Sequence, residues 1–199
     1  MPRKSKSMII ILLLGTLALM LLLAGCAQQA QTPAPAPANN TVSPPATTAA
    51  PADVKDATYG AKSAALKTSW SLEEMLQYAI EDEYMARAEY DYTLKTFGDQ
   101  NPFANIKSAE ETHINALKGL YNTRNMAVPA DNSAENLVKA QNIKHALELC
   151  VEGEIANINM YQGFLNTPNL PEDVRTVFTQ LKAGSESHLS AFKNALSRY

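Results

Sequence analysis

The sequence predicts an all-α fold, an antiparallel four-helix bundle that spans residues 69–199. From Trp70 onward, apolar residues recur every three or four positions, and no stretch alternates apolar and polar residues as a half-buried strand does. The periodic stretches are separated by residues typical of helix ends and turns, among them Gly98, Pro129 and Pro168. These patterns indicate helices that each bury one face against a common core.

The first predicted helix has the clearest start. Ser71 and Glu74 have the spacing of a capping box, in which each side chain binds the backbone N–H of the other residue. In chain order, the four helices are expected at about 71–97, 102–124, 140–165 and 172–197. Because the connection between the first two is short, these two helices should pack antiparallel. Shorter helical segments are expected within residues 54–66 and 134–138.

The N-terminus has the pattern of an export signal over residues 1–25. Basic residues precede a nearly uninterrupted apolar run, which ends in Leu23-Ala24-Gly25-Cys26. This ending resembles the lipobox of bacterial-type lipoproteins, which implies cleavage before Cys26 and a lipid on its sulfur. The protein would then be exported and anchored to the cell envelope, with the membrane as a partner through that lipid. An ordinary signal peptide and a membrane anchor helix are the alternatives.

Residues 26–68 are expected to form a disordered tether between the lipid and the helical domain. Six of the eleven prolines fall within residues 27–67, among Ala, Thr, Asn and Gln. Such a segment buries too little apolar surface to offset the entropy lost on ordering. The chain has two cysteines, and if Cys26 carries lipid, Cys150 has no intramolecular partner. Cys150 lies on an apolar helix face and is expected to be a small buried residue.

The charge balance argues against one class of partner. The whole chain carries a net charge of −3, and removal of the signal leaves 14 basic against 20 acidic residues, a net charge of −6. No stretch concentrates Lys or Arg into a basic patch. Nucleic acid and anionic lipid headgroups are therefore not expected as partners.

Each predicted helix carries a polar residue where its apolar face requires an apolar one. These residues are Glu83, Glu110 with His113, Glu154, and His188. Burying a charge without a partner costs on the order of several kcal/mol, and a metal cation is one compensation. An inward-facing Glu-x-x-His pair is what helical bundles use to bind iron or manganese. Taken singly, each residue is more simply a partly exposed acid or a histidine bonded to a backbone carbonyl. Three further acids lie off the apolar stripe and are expected to be solvated: Glu81, Asp82 and Glu89.

Several blocks of these helices match a known family pattern. The blocks are residues 82–88, 102–106 leading to Glu110-x-x-His113, 154–158, 173–178 and 188–192. They resemble the ferritin-like superfamily and, within it, the uncharacterised family DUF2202, over about residues 70–199. The resemblance implies a bundle whose carboxylates and histidines hold two metal ions. The implied ligands are Glu83, Glu110, His113, Glu154 and His188.

Ser185 departs from the superfamily pattern, which has Glu at this position. Two divalent ions bring a charge of +4, whereas the three glutamates bring −3. A bridging hydroxide, Glu186 after a distortion of the helix, or a single metal ion would have to make up the difference.

Three functions stay open at this point. The first is a metal enzyme that uses a di-iron or di-manganese centre for oxidase, peroxidase or ferroxidase chemistry. The second is a non-catalytic metal sensor or buffer, and the third is a surface-interaction module with a degenerate site. Carboxylate and imidazole ligands suit one or two ions of iron or manganese and are also compatible with zinc. Tyr84, Tyr90 and Tyr161 are candidate redox or gating groups, although core packing with a bonded hydroxyl is the simpler interpretation.

Overall fold

The computed structural model describes residues 59–199, which contain six α-helices and no strand. The all-α prediction is therefore confirmed for this part of the chain. The helices are α1 (Ala61–Ala64), α2 (Leu72–Phe97), α3 (Phe103–Thr123), α4 (Ser133–Asn136), α5 (Ile143–Leu165) and α6 (Glu172–Leu196). The predicted signal, the predicted lipidation site Cys26 and most of the predicted tether lie outside the described residues. None of the described helices is both long enough and apolar enough to cross a membrane.

The four long helices form a bundle-like ring, in which α2 contacts α3 and α5, and α6 contacts the same two helices. Across the interface of α2 and α3, Arg87 pairs with Glu111 and Asp91 pairs with Lys107. Residue numbers rise along one helix as they fall along the other. The predicted antiparallel packing of these two helices is therefore present.

The other pairs of neighbours are also antiparallel. Between α5 and α6, Asn157 lies opposite Ser185, and Glu154 lies opposite His188. Between α2 and α5, Tyr90 contacts Glu154, and Glu83 contacts Tyr161, so these two helices are antiparallel as well. Helices α3 and α5 therefore run in the same direction. The long link that contains α4 makes the crossover between them.

Side-chain caps set two of the helix starts. The Ser71 hydroxyl accepts from the Glu74 N–H, and the Glu74 carboxylate accepts from the Ser71 N–H at 2.9 Å, so the predicted capping box is confirmed. Helix α5 begins at Ile143, three residues later than expected. The reason is that the Asn142 side chain accepts from the His145 N–H at 2.9 Å and thereby fixes the cap at residue 142.

Two apolar clusters form the core, one toward each end of the bundle. The first includes Leu76, Ile80, Leu117, Phe164 and Phe178, and the second includes Phe103, Leu147, Cys150 and Phe192. On every long helix, the residues of one cluster precede those of the other, and on α3, α5 and α6 the buried polar residues Glu110, Glu154 and His188 lie between them. Cys150 is 2% exposed, which confirms the buried position expected for it.

The last ten residues assigned to the tether include a segment that is packed against the bundle. Ala61 and Ala64 of α1 are buried, and the Ala61 N–H donates to Asp82 Oδ1 at 2.8 Å. The Gly60 N–H donates to Glu81 Oε2 at 3.2 Å. The acids of α2 thus bind the N–H groups at the start of α1. Because these partners lie 21 residues away in the chain, local composition did not indicate them.

Candidate metal centre

Five side chains from the four long helices converge at mid-length of the bundle. They form two groups in which the candidate ligand atoms all lie within 4.8 Å of one another: Glu83, Glu110 and His113, and Glu110, Glu154 and His188. The three carboxylate side chains are between 1% and 4% exposed. All five residues that interrupt the apolar stripes are therefore brought together, and Glu110 belongs to both groups.

The first group joins α2 and α3. His113 Nδ1 lies 2.8 Å from Glu110 Oε2 and 3.1 Å from Glu83 Oε2. Glu110 and His113 are one turn apart on α3, which places both side chains on the same face of the helix. One nitrogen and two carboxylate oxygens, contributed by two rigid helices, are thus directed at a common point.

The second group joins α3, α5 and α6. His188 Nδ1 lies 3.0 Å from Glu110 Oε1 and 3.3 Å from Glu154 Oε1. The nitrogen is nevertheless buried without a hydrogen-bond partner, because neither oxygen is suitably aligned with the ring. The rings of His113 and His188 are stacked with their centroids 5.4 Å apart. The two oxygens of Glu110 therefore face different histidines.

Two tyrosines orient the outer carboxylates. The Tyr161 hydroxyl donates to Glu83 Oε1 at 2.7 Å, and the Tyr90 hydroxyl donates to Glu154 Oε1 at 2.6 Å. Both tyrosines are fully buried. Bonds of this kind fix the orientation of the groups that bind an ion. Tyr84, the third tyrosine considered, instead packs its ring under the Arg87 guanidinium, away from the cluster.

Ser185 takes part in a hydrogen-bonded chain at the edge of the cluster. Its hydroxyl donates to Asn157 Oδ1 at 2.6 Å, and Asn157 Nδ2 donates to Asp82 Oδ2 at 2.7 Å and more weakly to Glu83 Oε1 at 3.4 Å. Asp82 is thus a fourth carboxylate, one residue removed from the cluster. Glu186 does not reach the cluster, because it is exposed and pairs with Lys182 on the surface at 2.6 Å.

Burial and crowding shift the acids of the first group in opposite directions. Burial and then the neighbouring Glu110 raise the pKa of Glu83 to about 7. Burial also acts to raise the pKa of Glu110, but its hydrogen bond with His113 and the close contact with His188 outweigh this and leave that pKa below its usual value. Glu110 is therefore the acid that the arrangement keeps ionised.

The carboxylates hold protons on the histidines in the metal-free protein. Burial acts to lower the pKa of His113, but the bonds to Glu110 and Glu83 more than reverse this and raise it to about 10. Burial likewise opposes charge on His188, whose pKa is raised to about 9 by Glu110 and Glu154. Any metal ion that binds here must first displace these protons.

The expectation that Glu81, Asp82 and Glu89 are solvated was wrong, because the first is buried and the other two are half-buried. Glu81 is 8% exposed and accepts from Gly60 and Gln77. Burial raises the pKa of Asp82 to about 7 and that of Glu89 to about 8. The prediction assumed that α2 buries only the face that carries its apolar stripe. In the structure, α1 and α5 also cover the neighbouring face of α2, on which these acids lie.

Gly184 positions His113 from across the bundle. A Cβ at this residue would lie 2.6 Å from His113 Cε1 and 2.7 Å from its Nε2, closer than atoms can approach. The imidazole therefore packs directly on the backbone of α6, with Nδ1 facing the carboxylates. A glycine inside a helix costs about 1 kcal/mol relative to Ala. A glycine in the middle of a predicted helix was therefore the one sequence feature that could have pointed to a special role for Gly184.

The donor set fits a divalent cation. Three carboxylates and two imidazoles face each other in a poorly solvated layer, and the buried His188 Nδ1 has no hydrogen-bond partner. Carboxylate oxygen and imidazole nitrogen are ligands for iron, manganese and zinc alike, so the geometry does not identify the metal. The cluster could therefore hold a metal ion, with the five sequence-predicted residues as candidate ligands.

Comparisons of this chain with protein-family models, with curated proteins and with solved structures found no match. The class of protein that the geometry supports is therefore a helical, bundle-like protein with a buried Glu/His cluster able to hold a metal ion. The likeness to ferritin-like proteins stays a prediction from the sequence.

Proposed function

We propose that this chain is an envelope-tethered, ferritin-like protein whose bundle binds two divalent ions of iron or manganese. The observation that carries the proposal is that Glu110 belongs to both groups of candidate ligands, with one oxygen toward His113 and the other toward His188. A carboxylate in this position can bridge two ions. Each ion then has one histidine and one further carboxylate, Glu83 or Glu154, of its own.

The order of the helices supports the ferritin-like class. Helices α3 and α5 are parallel and are joined by the one long crossover of the described bundle, whereas the other connections between long helices are short. Ferritin-like bundles have one such crossover, and their metal ligands project inward from all four helices. The Glu-x-x-His pair of α3 is of the type that these bundles use.

The charge of the site favours two ions more than the sequence alone suggested. Two divalent ions bring +4, and the three cluster glutamates bring −3. Asp82 supplies a fourth carboxylate, which is ionised above its pKa of about 7 and is linked to the cluster through Asn157 at 2.7 Å. The superfamily pattern has a fourth carboxylate at position 185, where this chain has the neutral Ser185. The Asp82 carboxylate is linked to Ser185 through Asn157.

The geometry supports oxidase, peroxidase or ferroxidase chemistry over simple storage of an ion. Each group provides three protein ligands, which leaves coordination positions for small molecules, as catalytic metal sites generally do. Bound iron or manganese would supply electron exchange with oxygen or peroxide. The protein's own residues orient the site: Tyr161 and Tyr90 hold the outer carboxylates, and the two apolar clusters keep bulk water from both ends.

The test is the number of ions bound per chain, measured on protein from its native envelope and on reconstituted protein. Two iron or manganese ions are expected, and Glu110→Ala should lose both of them. The matched control is Glu111→Ala, an exposed neighbour on the same helix, which should keep both. A single ion in the wild type would reduce the site to a mononuclear binder, and no ion would overturn the proposal.

A non-catalytic metal sensor or buffer is the second candidate, because Ser185 stands where a carboxylate would complete the reactive pattern. Consumption of oxygen or peroxide by the iron-loaded protein separates the two functions. Turnover supports the oxidase class, whereas two stably bound but inert ions support the sensor or buffer. A protein that folds and binds no metal would instead be the surface-interaction module.

A further inference from the structure

A cavity connects the candidate metal centre with the surface. It has a volume of about 100 Å³ and lies between α1, α2 and α5. Its inner wall includes the buried Glu110 and Glu154, whereas Glu152 and Gly153 at its outer side are exposed. The cavity therefore ends on the carboxylates of the second group of candidate ligands.

The titratable side chains of the cavity wall are mostly acids. Its titratable acids are Asp82, Glu89, Glu110, Glu152 and Glu154, and the lone basic residue among its lining residues is Lys62 of α1. Glu89 is half-buried, and among residues 59–199 no side chain or backbone N–H donates a hydrogen bond to its carboxylate. An anion entering this space would be repelled, while a cation would be attracted.

Gly153 keeps the outer part of the cavity open. A Cβ at this residue would lie 3.9 Å from Glu89 Oε2, so that any longer side chain would project toward the Glu89 carboxylate. Glycine is otherwise unfavourable in the middle of a helix such as α5. The absence of a side chain here leaves Glu89 accessible from the surface.

We propose that this cavity is the route by which divalent cations enter the centre, with Glu89 as an intermediate binding position and Lys62 as a barrier at the outer end. The inference rests on the proposed function, since it assumes that Glu110 and Glu154 bind an ion. A cation passes from Glu152 at the surface to Glu89 and then to Glu154 and Glu110. The other directions along the bundle are closed by the two apolar clusters.

The test measures the rate of Co²⁺ uptake by the full chain in stopped flow, because the visible absorption of Co²⁺ reports its coordination. At pH 8.5, where Glu89 with its pKa of about 8 is mostly ionised, Glu89→Gln should slow uptake by roughly three- to tenfold at low ionic strength, as removal of a steering charge does. Lys62→Gln should accelerate uptake, and Gly153→Leu should slow it more than Glu89→Gln does. The number of Co²⁺ ions bound at equilibrium should not change.

Two matched controls accompany these variants. Glu148→Gln removes an exposed charge from α5 outside the cavity, and Gly119→Leu adds the same side chain at an exposed helical glycine with open space around it. Both should load at the wild-type rate. High salt should reduce the effects of Glu89→Gln and Lys62→Gln.

The outcomes separate the route from the site. If the wild type binds no Co²⁺, the proposed function fails. If it binds Co²⁺ but Glu89→Gln and Lys62→Gln load at the wild-type rate, the route is wrong and the site stands. The opposite directions expected for these two variants decide the question even if Gly153→Leu does not fold.

Discussion

Glu110 constrains the candidate centre more than any other single residue. Its Oε2 lies 2.8 Å from His113 Nδ1, and its Oε1 lies 3.0 Å from His188 Nδ1. Removing this carboxylate would take a ligand from both groups, whereas Glu83 and Glu154 belong to one group each. The mid-helix position on α3 also fixes its backbone, so that the side chain would need little reorganisation to bind metal.

Gly184→Ala should weaken metal binding by displacing His113. The added methyl would lie within 3 Å of the imidazole, which must then turn away from Glu83 and Glu110. Disturbing the groups that orient a ligand typically costs about 10- to 100-fold in affinity. A metal titration of the variant measures this loss, and Gly119→Ala, at an open helical glycine, should bind as the wild type does. Unchanged affinity in Gly184→Ala would show that the imidazole does not bind the ion.

The sequence indicated some residues of the centre and not others for a physical reason. The five candidate ligands are charged or titratable groups on apolar stripes, and such interruptions are visible in one helix at a time. Asn157 and Asp82 act through bonds between helices, at 2.7 Å across α2 and α5. Gly184 acts through contact with a ring on another helix. Such contacts depend on how the helices are rotated against each other. The periodicity of apolar residues in one helix does not predict that rotation.

Metal binding should release protons near neutral pH. The folded metal-free protein holds protons on His113 and His188, whose pKa values are raised to about 10 and about 9, and partly on Glu83, whose pKa is raised to about 7. Apparent affinity should therefore rise with pH, by about tenfold per pH unit for each proton displaced. Calorimetric titration in buffers of different ionisation enthalpy counts these protons. Binding that is independent of pH between 6 and 8 would argue against histidine ligation.

At the scale of the helices, α1 shows where local sequence reasoning reaches its limit. The sequence predicted a disordered tether over residues 26–68 with a short helical segment within 54–66, but it did not indicate that this segment packs on α2 through the acids that bind Gly60 and Ala61. Gly60 has a φ of 60°, and a Cβ there would lie 2.9 Å from Asp82 Cα. The long helices, in contrast, were predicted because each carries its own apolar stripe. Helix α1 has four residues and is too short to carry an apolar stripe that would indicate which of its faces is buried.

Gly60→Val should release α1 from the bundle while leaving the four long helices folded. A β-branched residue at positive φ is strained by about 1–3 kcal/mol, and the Cβ would also clash with the α2 backbone. Hydrogen exchange at the Ala64 N–H, which binds Gly60 O at 3.1 Å, should become roughly 5- to 150-fold faster. Ala65→Val, at an exposed residue of the same segment, is the control. Equal exchange in both variants would contradict the close approach at Gly60.

At the scale of the whole molecule, a layer of buried acids and histidines separates two apolar clusters. Without metal, this layer opposes folding, because burial and mutual repulsion raise the pKa values of acids such as Glu83 and Asp82. A natural bundle of this size could fill the layer with apolar residues and gain stability. The polar residues of this layer are expected if the layer binds an ion. The bound ion would then provide the stability that apolar packing would otherwise supply.

Glu83→Gln should make the metal-free protein more stable above pH 7 and weaken its metal binding. The folded-state pKa of Glu83, about 7, lies above the ordinary glutamate pKa of 4.5, so the unfolded chain releases this proton at lower pH than the folded chain does. Stability in the wild type is therefore lost as pH rises through this window, by on the order of 2–4 kcal/mol in total. Gln has the same shape, can still accept from the Tyr161 hydroxyl, and carries no charge to bury.

Chemical denaturation of both proteins at pH 5 and pH 8, with and without Mn²⁺, measures these effects. Without metal, Glu83→Gln should be the more stable protein at pH 8 and nearly equal to wild type at pH 5. With Mn²⁺ the order at pH 8 should reverse, because the variant has lost a negatively charged candidate ligand of the first group. The exposed Glu73→Gln on the same helix should follow the wild type under all four conditions. If metal stabilises Glu83→Gln as much as the wild type, Glu83 does not bind the ion, and the buried acids of this layer require another explanation.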